Sequence, residues 1–194
     1  MGDAGGKAGI RKRVLGLRDA LDEADRKLRD ASIAERVAAE PSYARARSIL
    51  FYASFRSEVG TGALIVRALA EGRRAVLPRV DSGRGALSLR MIGSLSDARP
   101  GYMGIPEPPE TAEEVPLDGI DLVVVPGVAF DTQCVRVGYG GGYYDRLFAG
   151  CRRRPVLLAP AYEVQIVEAI PSEAHDVRMD MIVTEGRTIV CGAG

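Results

Sequence analysis

Residues 121–127 read Asp-Leu-Val-Val-Val-Pro-Gly, a short apolar run that ends in a turn signal. A run of this length, rich in β-branched residues and bounded by Pro and Gly, is typical of a strand that is buried on both faces. Such strands occupy parallel sheets, because crossover helices cover both faces of those sheets. The stretch therefore predicts a strand over residues 121–125 at the heart of an α/β sheet.

The segments on either side of this strand alternate between helical and strand patterns. Apolar residues recur every three or four positions from Ile10 to Leu21, and Asp22 is placed to cap a second helix that runs to about residue 39. Further helices are predicted over residues 61–70, 143–150 and 162–170. Strands are predicted over residues 48–53, 75–78, 87–91, 155–159, 181–184 and 188–190. We expect an α/β fold: a single three-layer domain over residues 1–194, with a largely parallel central sheet flanked by helices.

The composition is that of a soluble globular protein. The chain has 194 residues, of which 46% are hydrophobic and 27% are charged. Its 26 acidic and 26 basic residues balance, so no net charge favours nucleic acid or a membrane, and a monomer is permitted. Cys134, Cys151 and Cys191 are widely spaced, which predicts packing roles and no disulfide framework. Since the N-terminus also lacks a signal-peptide pattern, we expect a cytoplasmic protein.

The segment after the predicted central strand carries the densest chemistry. Residues 136–145, here called the glycine loop, read Arg-Val-Gly-Tyr-Gly-Gly-Gly-Tyr-Tyr-Asp. Glycines let the backbone approach a ligand closely, and N–H groups exposed in this way can bind phosphate oxygens. Arg136 offers a fixed positive charge and Asp145 a hard oxygen for Mg²⁺. The segment favours nucleotide chemistry, with a structural turn as the alternative because it matches neither the Walker loop nor the dinucleotide fingerprint.

Topology predicts a partner for the glycine loop. In open α/β sheets, ligands bind beyond the carboxyl ends of the strands. The loop follows the strand predicted over residues 121–125, and Glu58 follows the strand predicted over residues 48–53. We therefore expect Glu58 to lie near the glycine loop, although it is also placed to cap the helix that starts near Thr61.

These motifs together resemble the 5-formyltetrahydrofolate cyclo-ligase (5,10-methenyltetrahydrofolate synthetase) family. The most specific part is Val125-Pro126-Gly127, then Phe130-Asp131, then the glycine loop. The resemblance extends over nearly the whole chain through Lys7 and Arg11, Glu58-Val59-x-Thr61, Pro78, Gly104-Ile105-x-Glu107-Pro108, and His175-Asp176-x-x-x-Asp180.

The resemblance implies an ATP- and Mg²⁺-dependent ligase that cyclises 5-formyltetrahydrofolate to 5,10-methenyltetrahydrofolate through phosphorylation of the formyl oxygen. It implies that Arg136 and Asp145 are catalytic and that Asp145 and Asp176 hold Mg²⁺. The implied ATP-binding residues are Lys7, Arg11, Arg136, Val137, Gly138, Tyr139, Gly140, Gly141, Gly142, Tyr143 and Tyr144. The implied folate-binding residues are Ala53, Glu58, Tyr139, Gly140, Gly141, Gly142 and Tyr143.

The chain departs from the family pattern at two positions. Cys134 stands where the family usually has Gly, and a positive φ there would cost on the order of 1 kcal/mol. Gly141 stands where some members carry Lys, which removes one possible phosphate contact. Neither change removes Arg136 or a carboxylate.

Several alternatives stay open beside the ligase. One is a catalytically silent folate- or nucleotide-binding regulatory protein, and another is a related α/β enzyme acting on a phosphosugar or acyl-CoA. Lys7 and Arg11 also fit a solvated helix face, and Tyr144 and Asp180 fit structural roles. For His175 we expect a structural role in preference to general acid–base catalysis, because ATP is the activating group.

Overall fold

The computed structural model describes residues 6–173 and 176–191, and its elements follow the predicted alternation. The helices in this part of the chain are α1 (Lys7–Asp19), α2 (Glu23–Ala39), α3 (Pro41–Arg45), α4 (Gly62–Ala70) and α5 (Tyr143–Ala149). The strands are β1 (Ser48–Leu50), β2 (Arg74–Asp81), β3 (Ala86–Ile92), β4 (Arg99–Pro100), β5 (Pro106–Glu107), β6 (Leu122–Val124), β7 (Ala129–Asp131), β8 (Arg136–Val137), β9 (Val156–Pro160), β10 (Ile166–Val167), β11 (Met181–Val183) and β12 (Thr188–Val190). Over these residues, none of the helices combines the length and the apolar character needed to span a membrane.

The main sheet of the described chain has seven strands in the order β12-β11-β9-β6-β1-β2-β3. Its five inner strands are parallel, whereas β12 and β3 pair antiparallel at the two edges. The apolar run at residues 121–125 supplies β6, which is fully buried and lies in the middle of this order. The prediction of a mixed α/β fold with a largely parallel sheet is confirmed, and β11 and β12 pair as a terminal antiparallel hairpin.

Helices cover both faces of the sheet. Helices α2, α3 and α4 pack on one face, where Ile33, Tyr43 and Leu64 join the apolar side chains of the inner strands. Helix α5 packs on the other face through Leu147 and Phe148. Helix α1 packs through Ile10 and Val14 on a small sheet formed by β10, β7 and β8. The fold thus places α1 and the glycine loop, which follows β8, side by side.

The helix predicted around residues 162–170 is wrong. A single 3₁₀ turn at Glu163–Gln165 leads directly into β10, which pairs parallel with β7. The Gln165 amide is buried and donates to the carbonyl oxygens of Gly127 and Val128, at 3.0 Å each. The N–H of Ile170 donates to the Asp131 carboxylate at 2.9 Å. These tertiary hydrogen bonds hold the segment extended, against its local helical pattern.

The turn before Arg136 explains the unusual Cys134. This residue has φ of 62°, the left-handed conformation that the family's glycine implies. The Asp131 carboxylate fixes the turn by accepting from the N–H groups of Gln133 and Val135, at 3.0 and 2.9 Å. The expectation that the cysteines only pack is wrong, because Cys134 is disulfide-bonded to Cys191.

Loss of this disulfide should lower the free energy of unfolding by about 2–4 kcal/mol, because the bond restricts the unfolded chain between positions 57 residues apart. We expect this loss in Cys191→Ser and in reduced wild-type protein, measured by denaturant unfolding. Cys151→Ser is the matched control, since Cys151 forms no disulfide in the described structure. Equal stability of the oxidised and reduced wild-type protein would show that the bond does not stabilise the fold.

Candidate active site

The glycine loop begins with the two residues of β8 and ends in the first turn of α5, at the carboxyl edge of the main sheet. Gly140 and Gly142 have φ of 99° and 65°, values that residues with side chains rarely adopt. A Cβ atom at Gly140 would lie 3.7 Å from Arg11 Nη2, an ordinary contact, so the positive φ and not a lack of space requires glycine there. Two of the predicted glycines are therefore required by the backbone itself.

Lys7 and Arg11, which are one turn apart on α1, both reach the neighbourhood of the loop. The Arg11 Nε donates to the Gly138 carbonyl at 2.8 Å. The Lys7 ammonium donates to both carboxylate oxygens of Asp176, at 2.8 and 2.7 Å, and only 25% of its side chain is exposed. These contacts rule out a purely solvated helix face. The structure thus brings two cations from α1 to the glycine loop and to Asp176.

Arg136 and Asp145 form an ion pair across the loop, with Arg136 Nη2 and Asp145 Oδ1 2.9 Å apart. The Arg136 side chain is only 7% exposed and also donates to the Pro126 carbonyl at 3.3 Å. Its buried Nε has no hydrogen-bond partner among the described residues. A buried N–H without a partner is rare in proteins, so this position suits an acceptor supplied by a ligand or water.

Asp145 and Asp176, the predicted Mg²⁺ ligands, are each paired with a cation. Over residues 6–173 and 176–191, no group of three or more His, Cys, Asp or Glu side chains forms a metal cluster. Mg²⁺ often uses only one or two carboxylates and completes its coordination with phosphates and water. Asp145 is 32% exposed beside the loop and fits that mode. Asp176 is held by Lys7, and its role as a metal ligand stays a prediction, while His175 lies outside the described residues.

Glu58 lies beside the glycine loop, as its position after β1 predicts. Its carboxylate accepts from the Phe55 N–H at 2.9 Å and interacts electrostatically with the Tyr139 hydroxyl and with Arg18. Burial raises the pKa of Glu58, whereas the bond from Phe55, the Tyr139 hydroxyl and the charge of Arg18 act to lower it. Glu58 therefore caps its own turn, not α4, and presents a partly desolvated carboxylate next to the loop.

Ala53 lines a small pocket on the same edge of the sheet. The pocket has a volume of about 220 Å³ and lies between the start of α4 and the segment before β5. Most of its lining is apolar, including Ile65, Leu77 and Pro106. An apolar cavity with a few polar atoms at its rim suits the flat face of a ring system.

The two adjacent tyrosines of the loop have different surroundings. Tyr144 packs on the core below the loop, and its buried hydroxyl has no partner among the described residues. The Tyr143 ring centroid lies 5.0 Å from the Arg146 guanidinium carbon, and Tyr102 interacts electrostatically with the Tyr143 hydroxyl. Burial raises the pKa of both hydroxyls. Tyr144 thus has the packing contacts of the structural alternative, while its ATP-binding role stays a prediction.

Sequence reasoning missed Arg18, which is only 1% exposed and donates to the Tyr139 hydroxyl at 2.7 Å. The predicted apolar stripe of α1 included Leu17, but Leu17 is 48% exposed and Arg18 is buried in its place. The spacing of the basic residues in α1 could have indicated Arg18. Lys7, Arg11 and Arg18 lie at steps of four and seven residues, which places all three on one face of a helix.

The comparisons with known proteins agree with these observations. Residues 3–185 match the model of the 5-formyltetrahydrofolate cyclo-ligase family. The chain is 27% identical to a probable 5-formyltetrahydrofolate cyclo-ligase of Caenorhabditis elegans, with 95% of each chain covered. It is 30% identical to 5-formyltetrahydrofolate cyclo-ligase of Escherichia coli K12, over 79% of this chain and 86% of the relative. Its fold is similar to the NMR structure of Aquifex aeolicus 5,10-methenyltetrahydrofolate synthetase, with a TM-score of 0.86, 31% identity, and 97% and 94% of the chains covered.

Proposed function

The chain belongs to the 5-formyltetrahydrofolate cyclo-ligase family, and on that premise we propose that it converts 5-formyltetrahydrofolate and ATP to 5,10-methenyltetrahydrofolate, ADP and phosphate. The observation that supports this proposal most is that cations at the glycine loop and the Glu58 carboxylate lie at the same edge of the sheet. A glycine loop surrounded by cations lies beside a half-buried carboxylate, Glu58, and Tyr139 of the loop interacts with that carboxylate electrostatically. It stays a prediction that these small molecules are the protein's only partners. A cytoplasmic location stays a prediction as well.

The reaction requires activation of the formyl group, because an amide oxygen is a poor leaving group. In the proposed mechanism, the formyl oxygen attacks the γ-phosphorus of ATP and displaces ADP. N10 of the folate then attacks the formyl carbon and closes the ring, its N–H proton is released, and the formyl oxygen leaves with the phosphate. Phosphoryl transfer of this kind depends mainly on positioning and on neutralisation of charge.

The nucleotide side of the site supplies that neutralisation. Arg11 and Arg136 bring two positive charges to the loop and Lys7 brings a third to Asp176, and the N–H groups of residues 138–142 would bind phosphate oxygens. Asp145, with Asp176 as the second predicted carboxylate, would hold Mg²⁺, which neutralises phosphate charge when it is bound. Arg136 holds Asp145 in place from the buried side of the loop.

The folate side supplies recognition of the ring. The Glu58 carboxylate can only accept hydrogen bonds when it is ionised, and this suits the N–H donors of a pterin. Tyr139 and Tyr143 belong to the same loop and offer ring faces, and the pocket at Ala53 offers an apolar wall. Both substrates would then meet at Tyr139, between Glu58 and the glycines.

Purified protein with 5-formyltetrahydrofolate and Mg-ATP should produce methenyl absorbance together with one equivalent of ADP. Omission of ATP, or chelation of Mg²⁺ with EDTA, should abolish the signal because the formyl oxygen is then not phosphorylated. If the protein binds both substrates and forms neither product, the silent folate- or nucleotide-binding alternative holds and the proposed activity is wrong.

A further inference from the structure

Arg18 is a buried cation with neutral hydrogen-bond partners. It lies in the last turn of α1 with only 1% of its surface exposed. Its Nε donates to the Ser57 hydroxyl at 3.0 Å, its Nη2 to the Tyr139 hydroxyl at 2.7 Å, and its Nη1 approaches the Gly127 carbonyl at 3.5 Å. Burial of a charge is costly unless hydrogen bonds compensate it, so Arg18 depends on this particular arrangement of acceptors.

The three partners of Arg18 come from three different segments. Ser57 follows β1, Gly127 follows β6, and Tyr139 belongs to the glycine loop. Arg18 is therefore the residue at which the predicted folate segment, the end of the central strand and the nucleotide loop are joined. It also shares a helix face with Lys7 and Arg11, which contact Asp176 and the loop further along α1.

The donors and acceptors available to Arg18, Tyr139 and Glu58 determine which group donates to which. A guanidinium can only donate, so the Tyr139 hydroxyl must accept from Arg18. The hydroxyl has one proton of its own, and the Glu58 carboxylate is the neighbouring acidic group that interacts with it electrostatically. Burial raises the pKa of Tyr139 to about 12, so the hydroxyl retains this proton near neutral pH. Arg18 thus fixes the Tyr139 hydroxyl as an acceptor and leaves its proton for the side on which Glu58 lies.

We propose that Arg18 is a positioning residue that orients the Tyr139 hydroxyl toward Glu58 and thereby couples folate recognition to the nucleotide loop. The inference rests on the proposed function, since it takes Glu58 as the folate-binding carboxylate. Nucleotide bound on the loop holds Tyr139, and Tyr139 holds Glu58 in the orientation that the pterin requires. The affinity for folate is therefore higher when nucleotide is bound, and by linkage the affinity for nucleotide rises equally when folate is bound.

The test measures the dissociation constant of 5-formyltetrahydrofolate by calorimetry, with and without a non-hydrolysable ATP analogue. The variants are Arg18→Met, Tyr139→Phe and the double variant, and Arg13→Met on the exposed side of α1 is the matched control. We expect either single change to weaken folate binding about tenfold or more and to remove the effect of the nucleotide. Binding of the nucleotide alone should change less than about threefold in Arg18→Met, because Arg18 is not among the residues assigned to the nucleotide.

The double variant separates positioning from general damage. Because both residues act through the same interaction, the double variant should bind folate no more weakly than the worse single variant. Additive losses, or a parallel loss of folate and nucleotide binding, would overturn the proposal. Tyr139 is 50% exposed, so Tyr139→Phe keeps the proposal testable even if Arg18→Met fails to fold. Unchanged folate binding in Tyr139→Phe would overturn it as well.

Failure of this inference is distinguishable from failure of the proposed function. If wild-type protein forms the methenyl product and the variants bind folate normally, the proposed function stands and the positioning role of Arg18 is wrong. If wild-type protein binds folate in a nucleotide-dependent manner that Arg18→Met abolishes, but forms no product, the positioning role stands and the proposed activity is wrong. If wild-type protein neither binds nor converts 5-formyltetrahydrofolate, both are wrong.

Discussion

Asp145→Asn should lower kcat by about 10²–10³-fold, the usual effect of removing one group that stabilises charge in a transition state. Asparagine keeps the shape of the side chain and one oxygen, but it removes the negative charge that pairs with Arg136 and that would hold Mg²⁺. We also expect the Mg²⁺ concentration at half-maximal rate to rise, whereas the dissociation constant of folate alone should stay within about threefold. Steady-state kinetics over a Mg²⁺ titration measures the first two effects.

Asp180→Asn is the matched control for this variant. Asp180 is also ion-paired with an arginine, Arg154, at 2.7 Å, and its side chain is 27% exposed, close to the 32% of Asp145. However, it lies just before β11, at the amino edge of the sheet, and accepts from the Leu157 N–H. We expect Asp180→Asn to affect stability and leave the rate unchanged. Comparable rates for Asp145→Asn and wild-type protein would exclude a catalytic role for Asp145.

Local sequence patterns predicted the elements that depend on local forces. The apolar run at residues 121–125 forms the buried strand β6. Its β-branched side chains fit a pleated, buried surface, which is what a local pattern can indicate. The helix predicted at residues 162–170 failed because the deciding contacts are distant. Gln165 bonds to carbonyls nearly forty positions earlier in the chain, and no local pattern contains that information. Strands of two or three residues, such as β8 and β10, likewise carry too few residues to show a period.

The candidate site likewise contains features that the sequence predicted and features that it did not. The proximity of Glu58 to the glycine loop was predictable because parallel neighbouring strands place their carboxyl ends on one edge. Arg18 was missed because an arginine in an amphipathic helix is expected to be exposed, and its burial depends on a tyrosine hydroxyl 121 positions away. The pairing of Cys134 with Cys191 was missed for a similar reason, since β12 reaches the turn only through the folding of the whole sheet.

Glu58→Gln should weaken binding of 5-formyltetrahydrofolate by about ten- to a hundredfold, the range for loss of a hydrogen bond to a charged group. Glutamine is nearly isosteric and can still accept from the Phe55 N–H, so the turn at residues 55–58 should persist. Lys7 and Arg11, the predicted nucleotide ligands, contact Asp176 and Gly138 and not Glu58, so binding of ATP alone should stay within about threefold. Calorimetric titrations of each ligand separately measure both effects. Equal weakening of both ligands would contradict the assignment of Glu58 to the pterin.

The same substitution should make the protein more stable at neutral pH. Burial is the largest influence on the pKa of Glu58 and raises it above the ordinary value of 4.5, so the folded state binds the proton more tightly than the unfolded state. Wild-type stability is therefore lost as the pH rises from 4.5 through the raised pKa, because the buried carboxylate becomes charged. Glutamine carries no titrating proton and does not incur this loss. Denaturant unfolding should thus give Glu58→Gln a higher free energy of unfolding than wild type at pH 7, with a difference that vanishes below about pH 4.

Glu71→Gln provides a control of opposite sign. Arg73 and Arg67 hold the pKa of Glu71 below 4.5, so its contribution to stability is present above that pH and is lost as the pH falls through the lowered pKa. Glu71→Gln should therefore be less stable than wild type at pH 7 and bind folate normally, since Glu71 lies at the far end of α4. A Glu58→Gln variant that is destabilised at pH 7, as Glu71→Gln is, would show that Glu58 is held for the stability of the fold. A stabilised variant with weakened folate binding would instead show that the chain retains a destabilising buried carboxylate because the substrate requires it.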